Sequence, residues 1–293
     1  INGELVINPT PEQDEIADID LIIAGTKDAV VMVESGAENV SEADMIEAIM
    51  KGHEAIQPVI KIQEELAAKV GKAKMQVTAP VRDEEVFSKI EAALGDRLAK
   101  AVTIPTKHER YAALDQLKTE IVSEIVGDAD DEELKAKVKE AYGDLKKDYV
   151  RKMIVNDNKR VDGRGLTDVR QIEAEVGLLP RTHGSSLFTR GETQALAVVT
   201  LGTKEDRQRM DNLEGEVTKS FMLHYNFPPF CVGEVKFLRS PGRREIGHGA
   251  LAERAIRSVL PSKEDFHYTI RAVSEVLESN GSSSMATVCG TSM

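Results

Sequence analysis

The chain has no tryptophan, only two cysteines in 293 residues, and aromatics amount to 4%. Cys231 and Cys289 lie far apart and form no CxxC pair. That excludes a disulfide framework and a zinc ribbon, fits a reducing compartment, and leaves both thiols reading as buried and inert. No apolar run approaches the roughly 20 residues needed to span a bilayer, so no membrane association is expected. Neither a signal peptide nor an internal repeat is visible. Positive charge is scarce as well: 38 Lys and Arg face 50 Asp and Glu, giving a net charge of −12 and a pI near 5.1. A general nucleic-acid coat protein draws its affinity from summed positive charge and is excluded, although a local basic groove is not. At 41% hydrophobic residues, the chain can bury a sizeable core, and its length suits two or three domains.

The amphipathic pattern that is present changes character along the chain. Leu5–Ile7 reads as extended, and Thr10-Pro-Glu-Gln13 as a helix start with proline at the first position. Leu21–Ala24 and Val30–Val33 flank Gly25-Thr-Lys-Asp28 and predict a buried β-hairpin. Ser41-Glu-Ala-Asp44 opens a long helix with Met45, Ile49, Gly52, Ile56 and Val59 on one face, kinked at Pro58 and ended by Gly71. From Pro80 three helices follow. Their stripes are Val86, Ile90, Leu94; then, after a capping box at Thr106-Lys-His-Glu109, Leu114, Leu117, Ile121, Ile125; and then, after the acidic turn Asp128–Glu133, Leu134, Val138, Leu145, Tyr149. Arg151–Arg164 reads as a charged linker. Strands return at Leu187–Thr189, Ala195–Leu201, Phe221–Phe227 and Ile270–Val276, with a helix at Ile246–Leu260 stopped by Pro261. The lone histidines His53, His108, His224 and His267 read as structural.

Two stretches carry chemistry. Pro241-Gly-Arg-Arg-Glu-Ile-Gly-His248 supplies adjacent guanidiniums and an imidazole, and Glu278-Ser-Asn-Gly-Ser-Ser-Ser284 supplies three hydroxyls behind a glycine. Both read as turns leading into helices. Such junctions aim unpaired N–H groups and the positive end of the helix dipole at an anion, and arginine adds a fork that fits phosphate. If both face one cleft, Arg243, Arg244 and His248 join Ser282, Ser283 and Ser284 in a phosphate site. The plainer readings are helix capping by the serines, salt bridges from the arginines to Glu245 or Glu253, and a structural His248.

Leu179-Pro-Arg-Thr-His-Gly-Ser185, Leu187-Phe-Thr-Arg-Gly-Glu-Thr-Gln-Ala195, His224-Tyr-Asn-Phe-Pro228, Pro241–Ala250 and Val273–Ser284 together resemble the bacterial polynucleotide phosphorylase family. Ile1-Asn-Gly3, Asn8-Pro-Thr10, Ala24-Gly-Thr26 and Met32-Val-Glu-Ser35 agree with the end of that family's first catalytic-type domain. The resemblance implies an α+β chain of two partial ribonuclease PH-like α/β domains joined by an all-α helical bundle. It divides at 1–79, 80–155 and 156–293. On this basis the expected activity is phosphorolytic 3′-to-5′ exoribonuclease action on RNA 3′ ends. Inorganic phosphate is then the co-substrate, nucleoside diphosphates are released, and the reaction is reversible. The expected state is a cytoplasmic homotrimer, with RNA-degradation complex partners possible.

In the family the matching serines bind phosphate, a role carried first to Ser283 and Ser284; Arg243 and Arg244 would draw in the scissile phosphodiester, and His248 would contact phosphate. The chain opens at Ile1 in strand-like sequence and closes at Met293 within an apolar helix, and so reads as an internal segment. The family's magnesium-binding aspartates are expected downstream of Met293, and its RNA-gripping arginine loop upstream of Ile1. No metal ligand is therefore assigned, and the segment alone is expected to be inactive. Val235-Lys-Phe-Leu-Arg239 departs from the glycine-containing run of the family, and Arg190 and His183 sit in matching motifs without a role. Two other classes remain open. One is a catalytically dead RNA- or partner-binding scaffold of the same fold. The other is a ribonuclease PH-type enzyme of transfer RNA ends, against which the helical middle argues.

Overall fold

Thr10 starts the first helix, α1 (Pro11–Asp14), by a reciprocal pair of bonds: its hydroxyl accepts from Gln13 N, and the Gln13 side chain accepts from Thr10 N at 2.9 Å. The computed structural model describes residues 1–78, 81–127, 131–212, 215–238 and 240–293. Contacts divide them into two units, Ile1–Ala73 with Arg170–Met293, and Lys74–Val169. Leu5–Ile7, expected to be extended, joins no strand among the described residues.

Strands β1 (Ile19–Gly25) and β2 (Val30–Ala37) pair antiparallel, as the hairpin pattern predicts. They are not buried, however, and Val31 is 65% exposed. They form a sheet of two strands alone; one helix covers one face, and on the other Glu34 pairs with Arg254. That helix is α2 (Glu42–Val70), capped by Ser41, whose hydroxyl accepts from Asp44 N at 3.2 Å. It approaches the hairpin so closely at Gly52 that a Cβ there would lie 2.3 Å from Ile23 Cδ1. The expected apolar face is only half-buried, with Val59 exposed, and the helix continues through Pro58.

Residues 74–169 are helical: α3 (Glu84–Leu94), α4 (Arg97–Val102), α5 (Lys107–Val126) and α6 (Glu132–Asp157). The expected stripes meet in one core in which Ile90, Ile121 and Val138 are fully buried. Helix α4 has six residues, too few to show a period, and was not expected. Thr106 does not cap α5 through the backbone; its hydroxyl binds the Glu109 carboxylate instead. Asp131 caps α6 through Leu134 N at 2.9 Å, while Asp128–Asp130 of the acidic turn, like Pro80 and Arg239, lie outside the described residues.

The charged linker at 151–164 is a further correction. Arg151–Asp157 extend α6, and beyond them Arg160 donates to Gly165 O at 2.8 Å and Asp168 O at 2.5 Å. An arginine satisfied by its own loop's carbonyls makes a folded turn there, not a tether.

The remaining elements are β3 (Ile172–Val176), β4 (Gly184–Arg190), β5 (Thr193–Gly202), β6 (Gln208–Asn212), β7 (Gly215–Lys219), β8 (Phe221–Asn226), α7 (Arg243–Arg257), β9 (Thr269–Glu278) and α8 (Ser283–Ser292). Five strands form one sheet in the order β3-β4-β5-β9-β8, and β6-β7 is a separate hairpin. All pairings in the larger sheet are antiparallel except β8 with β9, which run parallel because α7 carries the chain across. Alternate β9 residues Ala272, Ser274 and Val276 are fully buried. Helix α7 packs on that face through Ala252 and Ile256, and α8 through Ser274 Oγ to Thr287 Oγ1 at 2.8 Å.

Candidate functional site

Two parallel strands that each lead into a helix on the same sheet face bring both helix N-termini to the carboxyl ends of the strands, where open sheets bind ligands. Strand β8 leads to α7 and β9 to α8. Helix α7 starts at Arg243, not at Ile246, because Glu245 accepts the Gly242 N–H at 2.9 Å and closes the first turn. Arg243 and Arg244 are thus the first two helical residues, not part of a preceding loop. The other Glu245 oxygen accepts Phe227 N at 3.1 Å, tying that turn to the end of β8.

Arg244 lies over the Phe227 ring, its guanidinium carbon 4.5 Å from the centroid. Among the described residues neither arginine forms a salt bridge with Glu245 or Glu253. Glu253 instead pairs with Lys219 at 2.9 Å and Arg257 at 2.7 Å. His248, one turn along, sets its ring edgewise on Tyr225 with centroids 5.2 Å apart. Its Nδ1 is buried without a hydrogen-bond partner among the described residues. Burial, and then the Arg244 guanidinium, hold its pKa below the ordinary imidazole value.

Left-handed backbone at Gly281 (φ 86°) and Ser282 (φ 41°) sets the turn into α8. Here Arg190 finds a place, donating to Gly281 O at 2.8 Å and Ser282 O at 3.1 Å. Thr193, fully buried, donates to Gly281 O at 3.2 Å and accepts from Asn280 N at 3.0 Å. The loop's carbonyls are therefore held on the sheet side. Ser282 is exposed at the cap position and makes no capping bond through its side chain. Ser283 and Ser284 are buried, and Ser283 Oγ lies 2.7 Å from Tyr225 Oη.

Tyr225, which the motif reading quoted without a role, meets both sides. It carries the His248 ring and reaches Ser283, and the Arg244 charge acts on its hydroxyl. Burial keeps the phenol's pKa above its ordinary value in spite of that charge. The sequence signal was there: Tyr225 and Phe227 alternate with polar residues, so they share a face. His183 accepts Leu201 N at 3.2 Å and serves the sheet. Among the described residues no three His, Cys, Asp or Glu side chains converge to hold a metal.

Comparison with known proteins defines first a class. The model described as "3' exoribonuclease family, domain 1" matches residues 168–293, and "3' exoribonuclease family, domain 2" matches 1–55. Ribonuclease PH-like domains thus flank a helical one. Between them, 85–165 match "Polyribonucleotide nucleotidyltransferase, RNA binding domain". The polyribonucleotide nucleotidyltransferase of Anaeromyxobacter sp. strain K is 52% identical over 299 residues, covering 99% of this chain and 42% of the relative. That of Syntrophotalea carbinolica is 52% identical over 293 residues, covering 100% and 42%. The chain belongs to the polyribonucleotide nucleotidyltransferase, or polynucleotide phosphorylase, family. It spans about two fifths of the length of these curated relatives. A solved chain of the Archaeoglobus fulgidus exosome with RNA bound to the active site shares 21% identity, covers 50% of this chain and 58% of its own, and has a TM-score of 0.39, too low to bear on function.

Proposed function

We propose that this chain carries the phosphate-binding part of a phosphorolytic 3′-to-5′ exoribonuclease. An oxygen of inorganic phosphate attacks the terminal phosphodiester phosphorus of RNA. The bond to the preceding nucleotide's 3′ oxygen breaks, a nucleoside diphosphate leaves, and the reverse reaction extends RNA. Bringing one anion against another costs about 4 kcal/mol for two unit charges ~4 Å apart at an effective dielectric near 20. Fixed N–H donors and cations must offset that before chemistry starts. The amides of the first α8 turn with Ser282, Ser283 and Ser284 hold the attacking phosphate. Arg243 and Arg244 draw in the phosphodiester, Arg244 also bonds the attacking phosphate, and neutral His248 donates a hydrogen bond. One observation carries the reading: Tyr225 touches both the His248 ring of the arginine helix and the Ser283 hydroxyl.

On the same reading the chain divides at 1–79, 80–155 and 156–293, and the intact protein is a cytoplasmic homotrimer acting on RNA 3′ ends, with RNA-degradation partners. No described helix is long and apolar enough to cross a membrane. The donor sets described here do not fit magnesium. Its ligands are proposed to lie outside residues 1–293.

The intact protein should release nucleoside diphosphates from poly(A) only with phosphate and magnesium; nucleoside monophosphates formed without phosphate would instead indicate a hydrolase. Replacing Ser283 and Ser284 together by alanine should raise the phosphate requirement sharply, since losing one preorganised donor costs about 2.7–4 kcal/mol. An unchanged requirement would mean that these two serines do not hold the phosphate.

A further inference from the structure

Tyr225 is 3% exposed in the middle of the candidate site, yet no role follows for it from the arginine or serine motifs. Its surroundings are specific. The ring packs edgewise on His248 at 5.2 Å and near-parallel to Phe227 at 6.2 Å, and Phe227 supports Arg244. Gly249 of α7 lies against the Tyr225 backbone, where a Cβ would meet Tyr225 N at 3.6 Å. At the other end the hydroxyl reaches Ser283 Oγ at 2.7 Å, with both residues buried.

A seryl hydroxyl has one proton and two lone pairs. If Ser283 donates to the phenol, its only proton is spent inside the protein. If the phenol donates to Ser283, that proton is free for an external acceptor. An anion at the start of α8 accepts hydrogen bonds and selects the second arrangement. We infer that Tyr225 is a positioning residue: it donates to Ser283 Oγ, turns the seryl O–H toward a phosphate oxygen, and fixes the serine loop against the helix that bears Arg244 and His248. The inference rests on reading that loop as the phosphate site. Burial favours the protonated phenol the donor role needs.

Steady-state kinetics of the intact protein test it, with Tyr225→Phe, Ser283→Ala and the double variant, varying inorganic phosphate and RNA separately. The phenylalanine keeps the ring and removes one donor. It should raise KM for phosphate about three- to tenfold, the range of one hydrogen bond. KM for RNA should not change, and the melting temperature should fall by no more than one lost hydrogen bond explains. In the Ser283→Ala background the same change should add nothing, because Tyr225 acts through that hydroxyl. An equal rise in both backgrounds overturns the inference, as does an unchanged KM for phosphate in Tyr225→Phe when Ser283→Ala shifts it. A fall in melting temperature that accounts for the whole kinetic loss overturns it too. If Ser283→Ala itself has no effect, the phosphate reading fails, and this inference with it.

Discussion

His248 shows what single side chains contribute. Burial and the Arg244 charge both favour neutral imidazole, so its pKa lies below the ordinary ~6.5. The folded state therefore binds less proton than the unfolded chain between the depressed value and ~6.5. The stability associated with neutral His248 is complete above that range and falls as the pH drops through it. His224 behaves alike, lowered by burial first and Arg271 second. NMR titration of the His248 ring should give a midpoint below that of an exposed histidine. Added phosphate should raise it, because an anion beside the ring favours the charged form; no change would separate His248 from the anion.

These residues were legible as types because arginine pairs, histidine and serine runs are distinctive at turns. Which serine is exposed was not. That depends on the left-handed backbone at Ser282, a conformation that only the surrounding hydrogen bonds impose.

At the scale of elements, the site depends on two hydrogen-bonded devices at helix starts. One is the Glu245 clamp on Gly242 and Phe227, and the other the Arg190 grip on the carbonyls of Gly281 and Ser282. Arg190→Leu removes the second. Hydrogen bonds from a charged donor are worth about 1.5–3 kcal/mol, so hydrogen exchange of the Ala286 amide, which donates to Ser282 O, should accelerate while that of β5 and β9 stays unchanged. Uniform acceleration across the sheet would make Arg190 a general stability residue.

Long stripes such as Ile121 and Val138 were readable from their period, and so was the β9 alternation. Short or covered elements were not. Helix α4, strand β3 and the β6–β7 hairpin lack a period of useful length. The linker reading failed at α6 because a charged helix face looks like a charged loop until its hydrogen bonds are seen.

Across the whole molecule, the helical unit and the sheet unit have separate buried clusters. Ile121 is fully buried in the first, and Ile121→Ala should cost that unit about 2–5 kcal/mol. Limited proteolysis should show cleavage within 84–157 rising while 184–292 remains protected; simultaneous loss of both would mean one cooperative unit.

The central claim concerns convergence: the arginine helix and the serine loop hold one anion. A crystal structure of the intact protein grown with inorganic phosphate tests it most directly. The expected result is a single phosphate bonded both to the Arg244 guanidinium and to the N–H groups at the start of α8. A phosphate held by one of these alone, or by neither, would contradict it.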